Sequence, residues 1–130
     1  MKPIIVANWK MNPRSWREAN RLFTEILLGA RKIRGVKPVF CPPFVWLTDL
    51  SHRHYKSADF GAQDVFWEEK GAFTGEISPG MLKSSHVKFV IIGHSERRRL
   101  GESDDTVNKK VKAALKAKLM PIIAIGEELE

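Results

Sequence analysis

The chain has 130 residues, 43% of them hydrophobic, with 22 Lys and Arg against 15 Asp and Glu and a formal net charge of +7. That length accommodates one domain with its own core, and the composition is that of a globular chain rather than a disordered one. One cysteine, Cys41, excludes an internal disulfide framework and points to a reducing, cytoplasmic setting, no apolar run approaches the ~20 residues of a membrane span, and residues 1–7 are too short for a signal-peptide core.

Residues 3–7 read as a short apolar strand ending at Asn8. Trp16, Ala19, Phe23, Ile26, Leu27 and Ala30 follow at three- and four-residue spacing, one face of a helix, with Asn12-Pro13 as its expected start and the proline in its first turn. Residues 37–41 form a second strand stopped by Pro42-Pro43, and 44–51 suit a short helix. A third strand at 57–61 leads into a long loop over 62–77, punctuated by Gly71 and Gly75. A short helix at 78–84 precedes a fourth strand, 88–92, containing Phe89-Val90-Ile91-Ile92. Residues 104–118 are a second long helix, with Val107, Val111, Ala114 and Leu115 on one side. Ser103, Asp104 and Asp105 suit its start, and the lysines from Lys109 to Lys118 suit its later turns. Residues 120–125 are a fifth strand.

Apolar strands without alternation, separated by helices, mean a parallel sheet covered on both faces. An open doubly wound sheet and a closed eightfold barrel share this rhythm. Five strands complete the first but only about half of the second, which needs ~250 residues. No linker interrupts the pattern, so residues 1–130 count as one domain.

The positive charge raises nucleic acid as a partner. Its Lys and Arg are scattered from Lys2 to Lys118 with no accompanying nucleic-acid motif, so the expectation is solvated helix faces, with neither nucleic acid nor membrane as partner. A positive surface would still favour encounter with a small anionic substrate.

Polar residues gather where the strands end, the side on which both architectures place their sites. Strand one ends in Asn8-Trp9-Lys10, strand three in Gly61-Ala62-Gln63-Asp64, strand four in Gly93-His94-Ser95-Glu96-Arg97 and strand five in Gly126-Glu127. Lys10 is a fixed positive charge suited to a phosphate or an oxyanion. His94 stands before a short helical turn whose positive end disfavours an imidazolium, and a neutral ring can donate to a substrate carbonyl. Glu96 is close enough to orient Lys10. Each residue alone also has a plain structural reading: a satisfied core histidine, a solvated lysine, a surface pair.

Three segments settle the matter together. Ala7-Asn8-Trp9-Lys10-Met11-Asn12, Gly71-Ala72-Phe73-Thr74-Gly75-Glu76 and Ile91-Ile92-Gly93-His94-Ser95-Glu96-Arg97-Arg98 resemble triosephosphate isomerase in order and separation, and Pro42-Pro43 and Ile125-Gly126-Glu127 fit as well. The resemblance covers essentially all 130 residues. It implies an α/β fold, the parallel half-barrel that forms the N-terminal part of a (β/α)8 barrel. It also implies the interconversion of dihydroxyacetone phosphate and glyceraldehyde 3-phosphate, with no cofactor and no metal. His94 matches the electrophile, in a family that is the standing example of a neutral catalytic histidine at a helix N-terminus. Asn8 and Lys10 match the substrate-binding pair, and Glu96 matches the carboxylate that pairs with the lysine. The 62–77 loop matches the protrusion that inserts into a second subunit of a homodimer. There Thr74 would approach the partner's Asn8–Lys10 region, and Glu76 would meet the partner subunit's Arg97.

The resemblance also implies what differs. Asp64 stands where the family usually has Asn, and Ala124 where it usually has Cys. Pro13 should only stiffen the first loop, and the stretch around Leu100 looks one residue short, lacking an aromatic before Gly101-Glu102. The family's base is a glutamate after strand six, and Glu127 and Glu128, which follow strand five, do not match it. The expectation is therefore an isomerase half, inactive alone. It would be part of a longer chain or the partner of a separate C-terminal half. The alternative is a non-enzymatic half-barrel that self-associates or binds sugar phosphates weakly.

Overall fold

The computed structural model describes residues 2–126. Along them run β1 (Ile4–Asn8), α1 (Trp16–Ala30), β2 (Lys37–Cys41), α2 (Phe44–His54), β3 (Asp59–Ala62), α3 (Pro79–Ser84), β4 (Phe89–Ile92), α4 (Ser95–Arg99), α5 (Asp104–Lys116) and β5 (Met120–Ile123). All neighbouring strands pair parallel, in the order β1-β2-β3-β4-β5. Strand order that follows chain order is the order of a barrel wall. A doubly wound sheet would reverse direction at a switch point.

Packing gives the same answer. Phe40, Phe60, Ala62, Val90 and Ile92 of the strands join Ala19, Phe23 and Leu27 of α1, Leu47 and Leu50 of α2, Leu82 of α3 and Val107 and Ala114 of α5 in one core. The alternate strand residues Val39, Cys41, Phe89 and Ile91, with Val6 and Ile122 against them, form a second cluster that no helix residue enters. The helices thus cover one face of the sheet, not both as the strand composition suggested. The other is the concave face of a curled half-barrel, and a strand that is apolar on both sides cannot say which cover each side receives. Gly61 lies on that concave face, where a Cβ would come within 2.6 Å of Cys41 Sγ.

Caps fix where the helices begin. α1 starts later than Pro13, because Ser15 accepts a hydrogen bond from the Glu18 amide and so caps the first turn. The Pro13 carbonyl instead accepts from the Trp46 indole of α2 at 3.1 Å. Ser78 and Ser103 cap α3 and α5 in the same way. α2 runs to His54, three residues beyond expectation, and β3 begins at Asp59, two residues later. The turn around Leu100 closes through Gly101 at φ 103°, with Leu100 83% exposed, so this stretch lies at the surface. No helix among the described residues is long and apolar enough to cross a membrane.

Candidate active site

The C-terminal ends of β1, β3 and β4 meet at one rim. Asn8 is the last residue of β1, and its side-chain oxygen accepts from the Lys10 amide at 3.0 Å. Lys10 itself has φ 57°, a left-handed conformation that costs a non-glycine residue roughly 1–3 kcal/mol unless its surroundings impose it. Gln63, just past β3, imposes it: its amide nitrogen donates to the Lys10 carbonyl at 2.9 Å and to the Cys41 carbonyl at 2.8 Å. The backbone that carries Lys10 is therefore tied to β2 and β3. Its Nζ reaches Glu96 Oε1 at 2.7 Å.

Glu96 belongs to α4, whose N-cap is His94. The cap is the imidazole: His94 Nδ1 accepts from the Glu96 amide at 3.2 Å. Glu96 Oε2 lies 3.6 Å from the same nitrogen, too long for a hydrogen bond, and the Nδ1 lone pair is already engaged. An accepting Nδ1 places the proton of the neutral ring on Nε2. The hydrogen bond from Lys10 holds the Glu96 carboxyl below the ordinary carboxylate range, so that carboxylate stays ionised through neutral pH. Gly93 precedes the cap at φ 74°, where a Cβ would lie 3.3 Å from both Arg98 Nη2 and Val107. Arg98 Nε donates to the Gly93 carbonyl at 3.0 Å, fixing the end of β4.

A buried charge cluster underlies α4. Lys110 of α5, 4% exposed, donates to Asp64 Oδ1 at 2.7 Å and to Glu102. Arg97 Nε sits 3.0 Å from Asp64 Oδ2. Lys110 is thus not one of the solvated lysines that the charge pattern suggested, because Asp64 and Glu102 satisfy it in the interior. The three expected interface residues, Thr74, Glu76 and Arg97, line one cleft of about 350 Å³ together with Asp64 and Phe66.

The structure therefore brings together Asn8, Lys10, His94 and Glu96, and separately Thr74, Glu76 and Arg97. Gln63, Arg98 and Lys110 were not expected as supports. Gln63 stood within a strand-end segment and Arg98 within a segment that carries the family resemblance, whereas a helical lysine gives no sign of burial. Glu127 and Glu128 lie outside the described residues, and no group of three or more metal-ligating side chains occurs among those described.

A parallel half-barrel with a lysine, a carboxylate and a capping histidine on its C-terminal rim has the makings of an α/β-barrel enzyme site. The triosephosphate isomerase family model matches residues 3–130, and the chain belongs to that family. It is 49% identical to the triosephosphate isomerase of Thermoanaerobacter pseudethanolicus over 130 residues, covering 98% of this chain and 52% of that protein. The triosephosphate isomerases of Alkaliphilus oremlandii, at 50% identity, and Citrifermentans bemidjiense, at 49%, each match over 99% of this chain and 52% of their own length. The chain spans about half the length of the curated relatives it matches.

Proposed function

We propose that this chain supplies the electrophilic half-site of a triosephosphate isomerase interconverting dihydroxyacetone phosphate and glyceraldehyde 3-phosphate. The observation that carries the reading is the His94 cap, with Nδ1 occupied by the Glu96 amide and Nε2 left to donate. Such a donor stabilises the oxygen charge that develops when a proton leaves the carbon beside a carbonyl. Lys10, held by Glu96 at 2.7 Å, adds positive charge beside the same oxygen or the phosphate, and Asn8 fixes the Lys10 backbone. The reaction needs no cofactor, because the electron pair stays within the substrate.

Proton abstraction needs a base on the other side of the substrate. We place it, with the phosphate grip, in the half of the family length that this chain does not span. That half would also cover the apolar side chains exposed on the flanking strands: Ile4 and Ile5 on β1, Met120 and Ile123 on β5, all between 42% and 55% exposed. Pairing of Thr74, Glu76 and Arg97 with a second subunit completes the reading as a homodimer working in the cytoplasm.

The test is a coupled assay of glyceraldehyde 3-phosphate formation by the chain alone, by the C-terminal half of the Thermoanaerobacter relative alone, and by both. Turnover is expected only with both, and His94→Ala or Lys10→Met in this chain should lower it by at least about 10²-fold. Full turnover by the chain alone would refute the placement of the base. Turnover by the pair that ignores both substitutions would refute the site.

A further inference from the structure

All five strands begin at the same end of the sheet, opposite the His94 rim. The segments that lead into them are residues 2–3, 31–37, 55–59, 85–88 and 117–119, each taken to the strand's first charged residue where it has one. They contain Lys2, Arg31, Lys32, Arg34, Lys37, Lys56, Lys88 and Lys118, against a single carboxylate, Asp59. Eight cations and one anion make +7, the entire formal net charge, and the remaining 14 cations and 14 anions of the chain cancel. Dispersal along the sequence hides this, and the β/α topology gathers it. The excess lies at the wrong end to steer a phosphate toward Lys10.

Helix dipoles account for part of the pattern, since cations favour helix C-termini. They do not account for Lys2, which follows no helix, or for Lys37 and Lys88, which are held by Asp59 at 3.1 and 2.6 Å. Arg31, Lys32, Arg34, Lys56 and Lys118 are exposed, and among the described residues no ion pair involves them. Beside Lys56, whose Nζ lies 5.8 Å from the Tyr55 ring centroid, stand planar rings: Tyr55 stacks on His86 at 3.9 Å and 10°, and His52 meets His86 edge-on at 5.2 Å. Besides Tyr55, Ile33 is the one large exposed apolar side chain in these connections, too little to anchor a membrane-surface face.

We infer that this end of the half-barrel is a docking surface for a single-stranded nucleic acid, its phosphates following the arc of cations and a base stacking at Tyr55 and His86. Clustered Lys and Arg on one face of a chain with pI ≈ 9.8 form the electrostatic footprint of such binding, and stacked rings add a sequence-tolerant contact. The shared chemistry is a linear polyphosphate backbone, so inorganic polyphosphate is the competing source.

The test is fluorescence anisotropy of a labelled 20-nucleotide oligouridylate with the purified chain, from 50 to 250 mM KCl. Affinity should fall steeply with salt, by a factor of about 10 or more over that range. The triple variant Lys32→Glu, Arg34→Glu, Lys56→Glu should bind at least about 10-fold more weakly. The equal charge change at the opposite end, Arg14→Glu, Lys70→Glu, Arg99→Glu, should alter binding less than about 3-fold, with circular dichroism confirming both folds. Tyr55→Ala should weaken the oligouridylate but not inorganic polyphosphate of matched length. Equal losses in the two triple variants would overturn the location. A Tyr55→Ala variant that binds both polymers as the parent does would overturn the nucleic acid in favour of polyphosphate. Tighter capture by phosphatidylserine vesicles than by the oligonucleotide would overturn it in favour of a membrane.

Discussion

The rim depends on few atoms. Lys10 keeps a left-handed backbone because Asn8 and Gln63 hold the groups on either side of it. Gln63→Ala removes both side-chain donors, and in the complemented enzyme kcat/KM should fall about 10-fold with the far-ultraviolet circular dichroism unchanged. Gln63→Glu should not rescue, since an ionised carboxylate cannot donate to two carbonyls. Asn8, Lys10, His94 and Glu96 were legible because they sit in short motifs at strand ends. The role of Gln63 was not, because it acts across 53 residues through a backbone carbonyl, a contact that no periodicity encodes.

Between elements, ionic contacts join what the strands alone would leave loose. Lys110 ties α5 to Asp64 after β3 and to Glu102. Lys110→Met leaves the Asp64 and Glu102 carboxylates to Arg97 alone, at 3.0 and 3.9 Å, and should cost about 3 kcal/mol in urea unfolding, far more than an exposed lysine would. At the other end, Lys37 of β2 and Lys88 before β4 both meet Asp59 of β3. Burial alone would raise the Asp59 pKa, but the hydrogen bonds from Lys88 and Lys37 outweigh it and hold the carboxyl below its ordinary value. A depressed folded pKa contributes stability that is present above the unfolded value near 4 and lost as pH falls through the folded one. Asp59→Asn should therefore lower stability at pH 7 by about 1 kcal/mol, discounted for the exposure of both lysines, and by progressively less as the pH falls through the folded pKa. Pro13 shows the limit of reading elements from sequence. Proline before a helical pattern is a sound start signal, yet Ser15 offers the side-chain acceptor that the first turn needs, and the helix begins there.

At the scale of the molecule, strand order was the decision that periodicity could not make. Apolar strands alternating with helices are compatible with two architectures, and only the pairing in chain order and the helix-free concave cluster choose the half-barrel. The basic residues are likewise dispersed in sequence, and their grouping exists only once the five connections share an end. Across the sheet from that end sits His94, the proposed electrophile, and its ring nitrogens report on that role directly. In the 15N spectrum of the histidine-labelled chain, at a pH where imidazole is uncharged, the His94 signals should show Nε2 protonated and Nδ1 bare, and Glu96→Pro, which removes the capping amide, should abolish that preference. A His94 ring protonated at Nδ1 in the parent chain would contradict the account.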